Sequence, residues 1–113
     1  MKISEIAELL GADVLCGGDC LQEDVHNACG SDMMSDVLAY VKDQAVLLTG
    51  LVNAQVIRTA MMMDMRCVVF VRAKQPTQEM LELAADNHIA VLRTGRRMYE
   101  ACGMLYHGGL GRA

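Results

Sequence analysis

The sequence predicts an α/β fold: a mostly parallel sheet with helices on both faces, built from βαβ units between residues 45 and 106. From residue 45 onward, short apolar runs alternate with helical patterns of about a dozen residues. The runs are continuous rather than alternating, which is typical of strands buried on both faces of a parallel sheet. No linker or low-complexity tract interrupts the 113 residues, so one domain is expected.

Four elements are expected before this regular pattern begins. Residues 3–10 have the apolar spacing of an amphipathic helix, which Ser4 is expected to cap. Two short strands, a second helix capped by Ser31 and Asp32, and a turn at residues 43–44 follow. The expected strands span 14–16 and 23–30, and the expected second helix spans 33–42.

The rest of the chain predicts three strand-and-helix pairs, each a right-handed crossover. The pairs are expected at 45–50 with 53–65, at 67–71 with 77–88, and at 90–95 with 97–106. The residues that follow are rich in glycine and are expected to form a flexible tail. The domain is therefore predicted to span residues 1–106, with the tail at 107–113.

Small and cationic residues follow these predicted strands. The hexamers AVLLTG and AVLRTG end two of them with Thr-Gly, and five of the ten Lys and Arg residues lie near the last two strand ends. Ligands of open parallel sheets bind beyond the carboxyl ends of the strands, where helix N-termini favour anions. The predicted anion- or nucleotide-binding residues are Thr49, Gly50, Asn53, Arg72, Lys74, Thr94, Gly95 and Arg96.

The same residues also fit a purely structural interpretation. Glycine at a strand-to-helix turn often serves only the turn, and the arginines have Glu79 and Glu100 nearby as ion-pair partners. No phosphate-binding loop or dinucleotide fingerprint is present. Phosphoryl transfer is therefore not expected, and no catalytic residue is predicted.

Composition and charge disfavour several classes of partner. General nucleic-acid binding needs a cationic face, whereas the net charge here is -4. The methionine-rich run at residues 60–65 is interrupted by Asp64 and, like the other apolar runs, is too short to cross a bilayer, and no segment resembles a signal peptide. The protein is expected to be cytoplasmic, with no nucleic-acid or membrane partner.

The cysteines and histidines form no recognisable chemical motif. Five cysteines, an odd number, are expected to be reduced thiols. The spacing of Cys16 and Cys20 matches no zinc site, so no metal or cofactor is expected. His26, His88 and His107 have no triad-like spacing to a nucleophile. A small thiol enzyme is the least favoured function, and the chain is not expected to be an enzyme.

Methionine is unusually frequent, with ten residues in the chain. Successive helical residues point about 100° apart, so methionines crowded on one helix cannot all face the sheet. Either a few are simply exposed, or they form a subunit interface, and a two-fold homodimer is the favoured interpretation. The predicted interface residues are Met33, Met34, Met61, Met62 and Met65.

Apolar residues at a distinctive spacing run from the helix of the second predicted strand-and-helix pair into the strand of the third. The stretch comprises Pro76, Leu81, Leu83, Ala84, Ile89, Val91, Leu92 and Thr94. With the order of elements over residues 3–106, this stretch resembles the DRTGG domain family. The naming signature differs here: Gly50-Leu51-Val52 stands where the family tends to have Gly-Asp-Arg, and Val71-Arg72-Ala73 where it tends to have Thr-Gly-Gly.

The resemblance implies an α/β domain, similar in fold to the N-terminal domain of HPr kinase, that usually pairs with itself. Such domains occur beside nucleotide-sensing domains in pyrophosphatases, next to phosphate acetyltransferase catalytic domains, and as free-standing proteins near hydrogenase components. They are not the catalytic part. We therefore expect a homodimeric regulatory domain that binds a phosphorylated small molecule or nucleotide and modulates a partner enzyme. The alternative is a ligandless dimerisation or docking module for a larger enzyme complex of redox or hydrogenase type.

Overall fold

The computed structural model describes residues 1–41 and 44–111, so the turn predicted at 43–44 lies partly outside the described residues. The helices and strands, in chain order, are α1 (Ile3–Leu10), β1 (Asp13–Cys16), β2 (Asn27–Gly30), α2 (Met34–Tyr40), β3 (Ala45–Thr49), α3 (Ala54–Met62), β4 (Cys67–Phe70), α4 (Gln78–Asp86), β5 (Ala90–Arg93) and α5 (Met98–His107). A short 3-10 helix at Gly18–Cys20 lies between β1 and β2.

The five strands form one sheet in the order β1-β5-β4-β3-β2. Strands β2 to β5 are parallel, and Leu48, Val69 and Leu92 lie side by side across β3, β4 and β5. This confirms the predicted α/β fold with a mostly parallel sheet. β1 is the exception and pairs with β5 in antiparallel orientation, because the chain leaves α1 where Asp13 lies beside Arg93 at the end of β5.

Helices cover both faces of the sheet, as predicted. α1 and α5 pack on one face, where Ile6 and Leu105 share a core with Leu48. α2, α3 and α4 pack on the other face, where Ile57 shares a core with Leu47. Neighbouring strand residues point to opposite faces, so Leu47 and Leu48 belong to different cores. Each fully buried side chain of this kind contributes about 1.5–3 kcal/mol, which holds the strand ends in fixed positions.

The N-cap of the first helix lies two residues before the predicted cap. The backbone N–H of Lys2 donates to Oε1 of Glu5 at 2.9 Å, so Lys2 and not Ser4 is the capping residue. Gly11 ends α1 with a left-handed φ of 60°, a conformation that glycine adopts without a steric penalty. Gly11 is therefore the residue of the sequence that marks the C-terminal end of α1.

The C-terminal segment packs on the domain as far as residue 111. α5 extends to His107, and Leu110 is buried in the same core as α1 and α5. The N–H of Gly111 donates to the His26 carbonyl at 3.2 Å. The described residues after 106 therefore contact the domain, and the boundary predicted at 106 with a flexible tail stays a prediction. Residues 112–113 lie outside the described residues.

Candidate functional site

The carboxyl ends of β3, β4 and β5 lie side by side, as the sequence predicts. The register places Thr49 beside Phe70, and Phe70 beside Arg93. Helices α3, α4 and α5 begin at the same edge, which we call the carboxyl edge. Their N-termini carry partial positive charge, so this edge has the polarity that an anion needs.

A carboxylate occupies the end of β3. The Gly50 N–H donates to Oδ1 of Asp32 at 2.7 Å, and the Thr49 hydroxyl donates to the same oxygen at 3.1 Å. The Arg72 guanidinium lies beside the second oxygen, with Nη2 3.8 Å from Oδ2. Thr49, Gly50 and Arg72 thus surround one anionic group, and we call these three residues the strand-end cradle.

The turn after β3 fixes the direction of these donors. The buried Thr49 hydroxyl accepts a hydrogen bond from the Leu51 N–H at 3.2 Å, which leaves its own hydrogen directed at the carboxylate. Gly50 matters because it has no side chain: a Cβ at this position would overlap the Arg72 guanidinium. The glycine therefore permits the close approach of a cation to the end of β3.

Arg72 reaches the cradle from a strained turn after β4. Arg72 and Ala73 have left-handed backbones, with φ of 57° and 56°. Residues other than glycine adopt this conformation at a cost of about 1–2 kcal/mol each. The Arg72 N–H donates to the Arg96 carbonyl at 2.7 Å, and the Ala73 N–H donates to the Thr94 carbonyl at 2.8 Å. These bonds to the β5–α5 loop offset part of the strain and fix where the Arg72 side chain begins.

The residues after β5 are engaged in local contacts. The Thr94 hydroxyl is buried and donates to the Leu10 carbonyl at 2.9 Å, so it joins the end of β5 to the end of α1. The guanidinium of Arg96 lies 3.4 Å from Oε2 of Glu100, four residues further along the chain. Thr94 and Arg96 therefore make the contacts expected of residues that serve the fold and not a ligand.

The remaining predicted residues are spread along the carboxyl edge. Asn53 caps α3, since its side-chain oxygen accepts a hydrogen bond from the Gln55 N–H at 2.8 Å. Lys74 is exposed, and its ammonium has no ion-pair partner within the described chain. Gly95 is exposed with open space beside it. Three of the eight predicted anion-binding residues, those of the strand-end cradle, contact the same anionic group in the structure.

The position of Asp32 differs from the one that the sequence predicts. The sequence suggests a cap of α2, whereas the carboxylate reaches from the β2–α2 loop to the end of β3. β2 and β3 are parallel neighbours, so a polar residue that follows β2 lies next to the residues that follow β3. Recognising β2 as a neighbour of β3 is the signal that reveals this contact.

Burial raises the pKa of all five cysteine thiols. Burial raises the pKa of Cys20 to about 11, and a side-chain hydrogen bond with Glu23 adds to the rise. Burial also raises the pKa of Cys67. Such thiols remain protonated near neutral pH and lack the thiolate that nucleophilic chemistry requires. Within residues 1–41 and 44–111, no group of three or more His, Cys, Asp or Glu side chains is arranged to hold a metal ion.

The methionines predicted at a subunit interface differ in exposure. Met33 is 61% exposed and Met62 is 68% exposed, whereas Met65 is buried in the core shared by α2, α3 and α4. The side chain of Met65 therefore has no surface to offer a second subunit. α2 and α3 both begin at the carboxyl edge and end at the opposite edge. This separates Met33 and Met34 from Met61 and Met62.

A large groove of about 980 Å³ lies between β2, the end of α2 and α5. All three tyrosines of the chain line it: Tyr40, Tyr99 and Tyr106. None of the eight predicted anion-binding residues lines this groove. The groove and the strand-end cradle are thus two separate features of the surface.

The described helices include none that is long and apolar enough to cross a membrane.

The match to a protein family covers almost the whole chain, since a model of the DRTGG domain matches residues 5–107. The chain belongs to the DRTGG domain family. A similar solved structure contains the CBS and DRTGG domains of the regulatory region of Clostridium perfringens pyrophosphatase, complexed with the activator diadenosine tetraphosphate. The TM-score is 0.72 at 14% identity, and the match covers 92% of this chain and 45% of the other. The curated proteins gave no match.

The strained turn lies where the DRTGG signature differs in this chain. On the resemblance drawn from the sequence, the two glycines of Thr-Gly-Gly would stand at Arg72 and Ala73, and both of these residues are left-handed. This DRTGG domain therefore combines a glycine-type backbone with two larger residues. On the same resemblance, Leu51 and Val52 stand where the family tends to have the acidic-basic pair of Gly-Asp-Arg. Asp32 and Arg72 supply an acidic-basic pair at the same strand end instead.

Proposed function

We propose that this DRTGG domain is a non-catalytic regulatory module that binds a phosphorylated small molecule or nucleotide and modulates a partner enzyme. The observation that carries the proposal is the strand-end cradle, in which donors from two strand ends meet at one carboxylate. Phosphate oxygens accept charge-assisted hydrogen bonds from the same types of donor. A site that holds a carboxylate in this way is suited to a phosphate group.

The surroundings of the cradle also favour an anion. Helix α3 begins at Ala54, a few residues after the cradle, and its N-terminus carries partial positive charge. The Arg72 side chain is 48% exposed, so a ligand in solution can reach it. Lys74 follows Arg72 closely in the chain and adds an exposed cation at the carboxyl edge. A bound phosphate would therefore meet a backbone N–H, a hydroxyl and one or two cations.

The relative of known structure suggests which ligands to test first. Its regulatory region was solved with diadenosine tetraphosphate, an activator, and DRTGG domains are regulatory. Our chain covers 45% of that chain, so we take from it the class of ligand and not the position of the site. Binding would change a partner enzyme by favouring one of two conformations of the assembly.

Self-association is part of the proposal. The exposed methionines Met33 and Met62 are the strongest candidates for contact with a second subunit, and Met34 and Met61 lie beside them in sequence. A small domain that exposes large apolar side chains often buries them in a two-fold dimer. The two pairs lie at opposite ends of α2 and α3, so an interface that uses both would run along these helices.

The binding proposal is tested by a thermal-shift screen with inorganic pyrophosphate, AMP, ATP and diadenosine tetraphosphate. A ligand that binds only the native state adds about 2.7 kcal/mol of stability at about 100 times its dissociation constant. Arg72→Ala is expected to abolish the shift. Arg58→Ala is the matched control, because Arg58 is exposed on α3 and has no ion-pair partner among the described residues. An undiminished shift in the Arg72 variant removes the cradle from the proposal.

A ligandless docking module is the second candidate, and the tyrosine-lined groove favours it. Tyrosine is enriched in protein interfaces, and Tyr99 is 91% exposed. The same screen separates the two functions. A docking module gives no ligand-dependent shift in the unmodified protein or in either arginine variant.

A further inference from the structure

Asp32 is not needed to cap α2, which is the role that the sequence predicts for it. The Ser31 hydroxyl accepts a hydrogen bond from the Met33 N–H at 3.0 Å and donates to the Met33 carbonyl at 3.2 Å, so Ser31 closes the turn before the helix. The Ser31 N–H donates to the Leu48 carbonyl at 3.0 Å, which anchors the loop to β3. The Asp32 side chain is left free to serve the strand-end cradle.

The contacts of Asp32 are those of a bound anion. One oxygen takes both hydrogen bonds, from the Gly50 N–H and the Thr49 hydroxyl. The other oxygen lies 3.8 Å from Arg72, beyond the range of a charge-assisted hydrogen bond. The Asp32 side chain is 51% exposed, and an exposed ion pair of this kind contributes little to stability. The carboxylate therefore fills the cradle without using its full capacity.

We propose that Asp32 is an internal competitor, whose carboxylate occupies the strand-end cradle in the free protein and is displaced by the phosphate of the ligand. The inference rests on the proposed function and adds a means of regulation to it. A phosphate carries more negative charge than a carboxylate and has more oxygens, so it can accept the Gly50 and Thr49 hydrogen bonds and also bond Arg72 directly. Both anions cannot occupy the cradle together because like charges repel at this range.

Displacement of Asp32 connects the cradle to the surface of the protein. The next residue, Met33, is exposed and forms the N-cap of α2. When Asp32 leaves the cradle, its side chain loses its contacts with Gly50, Thr49 and Arg72, while Ser31 still anchors the loop to β3. The displaced carboxylate then lies in a second position beside the exposed Met33, which a partner can distinguish from the first.

The test compares binding of inorganic pyrophosphate to the unmodified protein and to Asp32→Asn by isothermal titration calorimetry at fixed ionic strength. The asparagine keeps an oxygen for Gly50 and Thr49 but removes the competing charge. We expect pyrophosphate to bind about tenfold more tightly to this variant. Asp36→Asn is the matched control, since it removes one exposed carboxylate from the same helix region without touching the cradle, and it is expected to change the affinity less than about twofold.

The outcomes separate this inference from the proposed function. If the unmodified protein binds pyrophosphate and Asp32→Asn binds it no more tightly than Asp36→Asn does, Asp32 is not a competitor and the proposed function stands. If neither the unmodified protein nor Asp32→Asn binds pyrophosphate, the cradle is not a phosphate site and both fail. A ¹H–¹⁵N spectrum of each variant guards against misfolding. Asp32→Asn is expected to move the Gly50 amide signal while the signals of β4 stay in place.

Discussion

Arg72 and Ala73 carry the clearest conformational cost at the candidate site. Their left-handed backbones are held by hydrogen bonds to the Arg96 and Thr94 carbonyls, and the resulting turn directs the Arg72 side chain across Gly50. Strained residues of this kind persist only where surrounding contacts determine them, and they cluster at ligand sites and switch regions. The strain is therefore expected to be measurable by substituting a single residue of the turn.

Ala73→Gly is expected to raise the free energy of unfolding by about 0.5–1 kcal/mol, because glycine removes the Cβ clash at a φ of 56° but loses more chain entropy on folding. Ala85→Gly, the same change at an exposed position inside α4, is expected to lower it by about 1 kcal/mol. Urea unfolding of both variants gives the comparison. Destabilisation by Ala73→Gly would show that the turn is not strained.

The buried thiol of Cys20 gives a prediction for pH. Its pKa is raised from 9.0 to about 11 by burial, so the folded state holds its proton more tightly than the unfolded state does. The folded state therefore binds more protons between these values, and stability is expected to fall as pH rises from about 9 to 11. Urea unfolding across this range measures the slope, which Cys20→Ala is expected to reduce. An unchanged slope in that variant would contradict the assignment.

Among the secondary-structure elements, the β3–α3 unit starts close to where the sequence predicts, at Ala45 for the strand and Ala54 for the helix. Its strand is a continuous apolar run and its helix begins after a capping Asn53, so both ends carry local signals. The orientation of β1 has no such local signal, because it depends on where α1 releases the chain beside β5. Local chemistry thus predicts where an element begins, and the packing of other elements decides its direction.

Asn53→Ala tests the capping of α3. Loss of the hydrogen bond to the Gln55 N–H is expected to cost about 1 kcal/mol of stability, and Asn53→Ser is expected to keep most of it because serine also caps helices. Thermal or urea unfolding distinguishes the two variants. Equal stability of the alanine and serine variants would mean that the cap contributes nothing here.

For the molecule as a whole, the candidate site depends on contacts between segments far apart in the chain. The parallel order of β3, β4 and β5 was predictable from continuous apolar runs, and it places Thr49, Gly50 and Arg72 at one edge. The Asp32 contact was not predictable without knowing that β2 lies beside β3. Pairing of Arg96 with Glu100 was foreseeable from their spacing, and it makes the basic cluster smaller than the sequence suggests.

Met62→Asp tests self-association of the molecule. The side chain is 68% exposed, so the domain is expected to fold, whereas a charge at a subunit contact is expected to dissociate the dimer. Sedimentation velocity measures the mass, and Gln55→Asp at another exposed position of α3 is the control. A dimer that survives Met62→Asp excludes this end of α3 from the interface, and a monomeric unmodified protein contradicts the dimer altogether.

The central claim is that a phosphorylated ligand binds at the strand-end cradle, and a ¹H–¹⁵N spectrum titrated with inorganic pyrophosphate and with ATP tests it most directly. The account predicts that the amides of Gly50, Leu51, Arg72 and Ala73 shift first and saturate together, because these residues form or flank the cradle. Shifts confined to the tyrosine-lined groove, or a spectrum unchanged by either ligand, would contradict it.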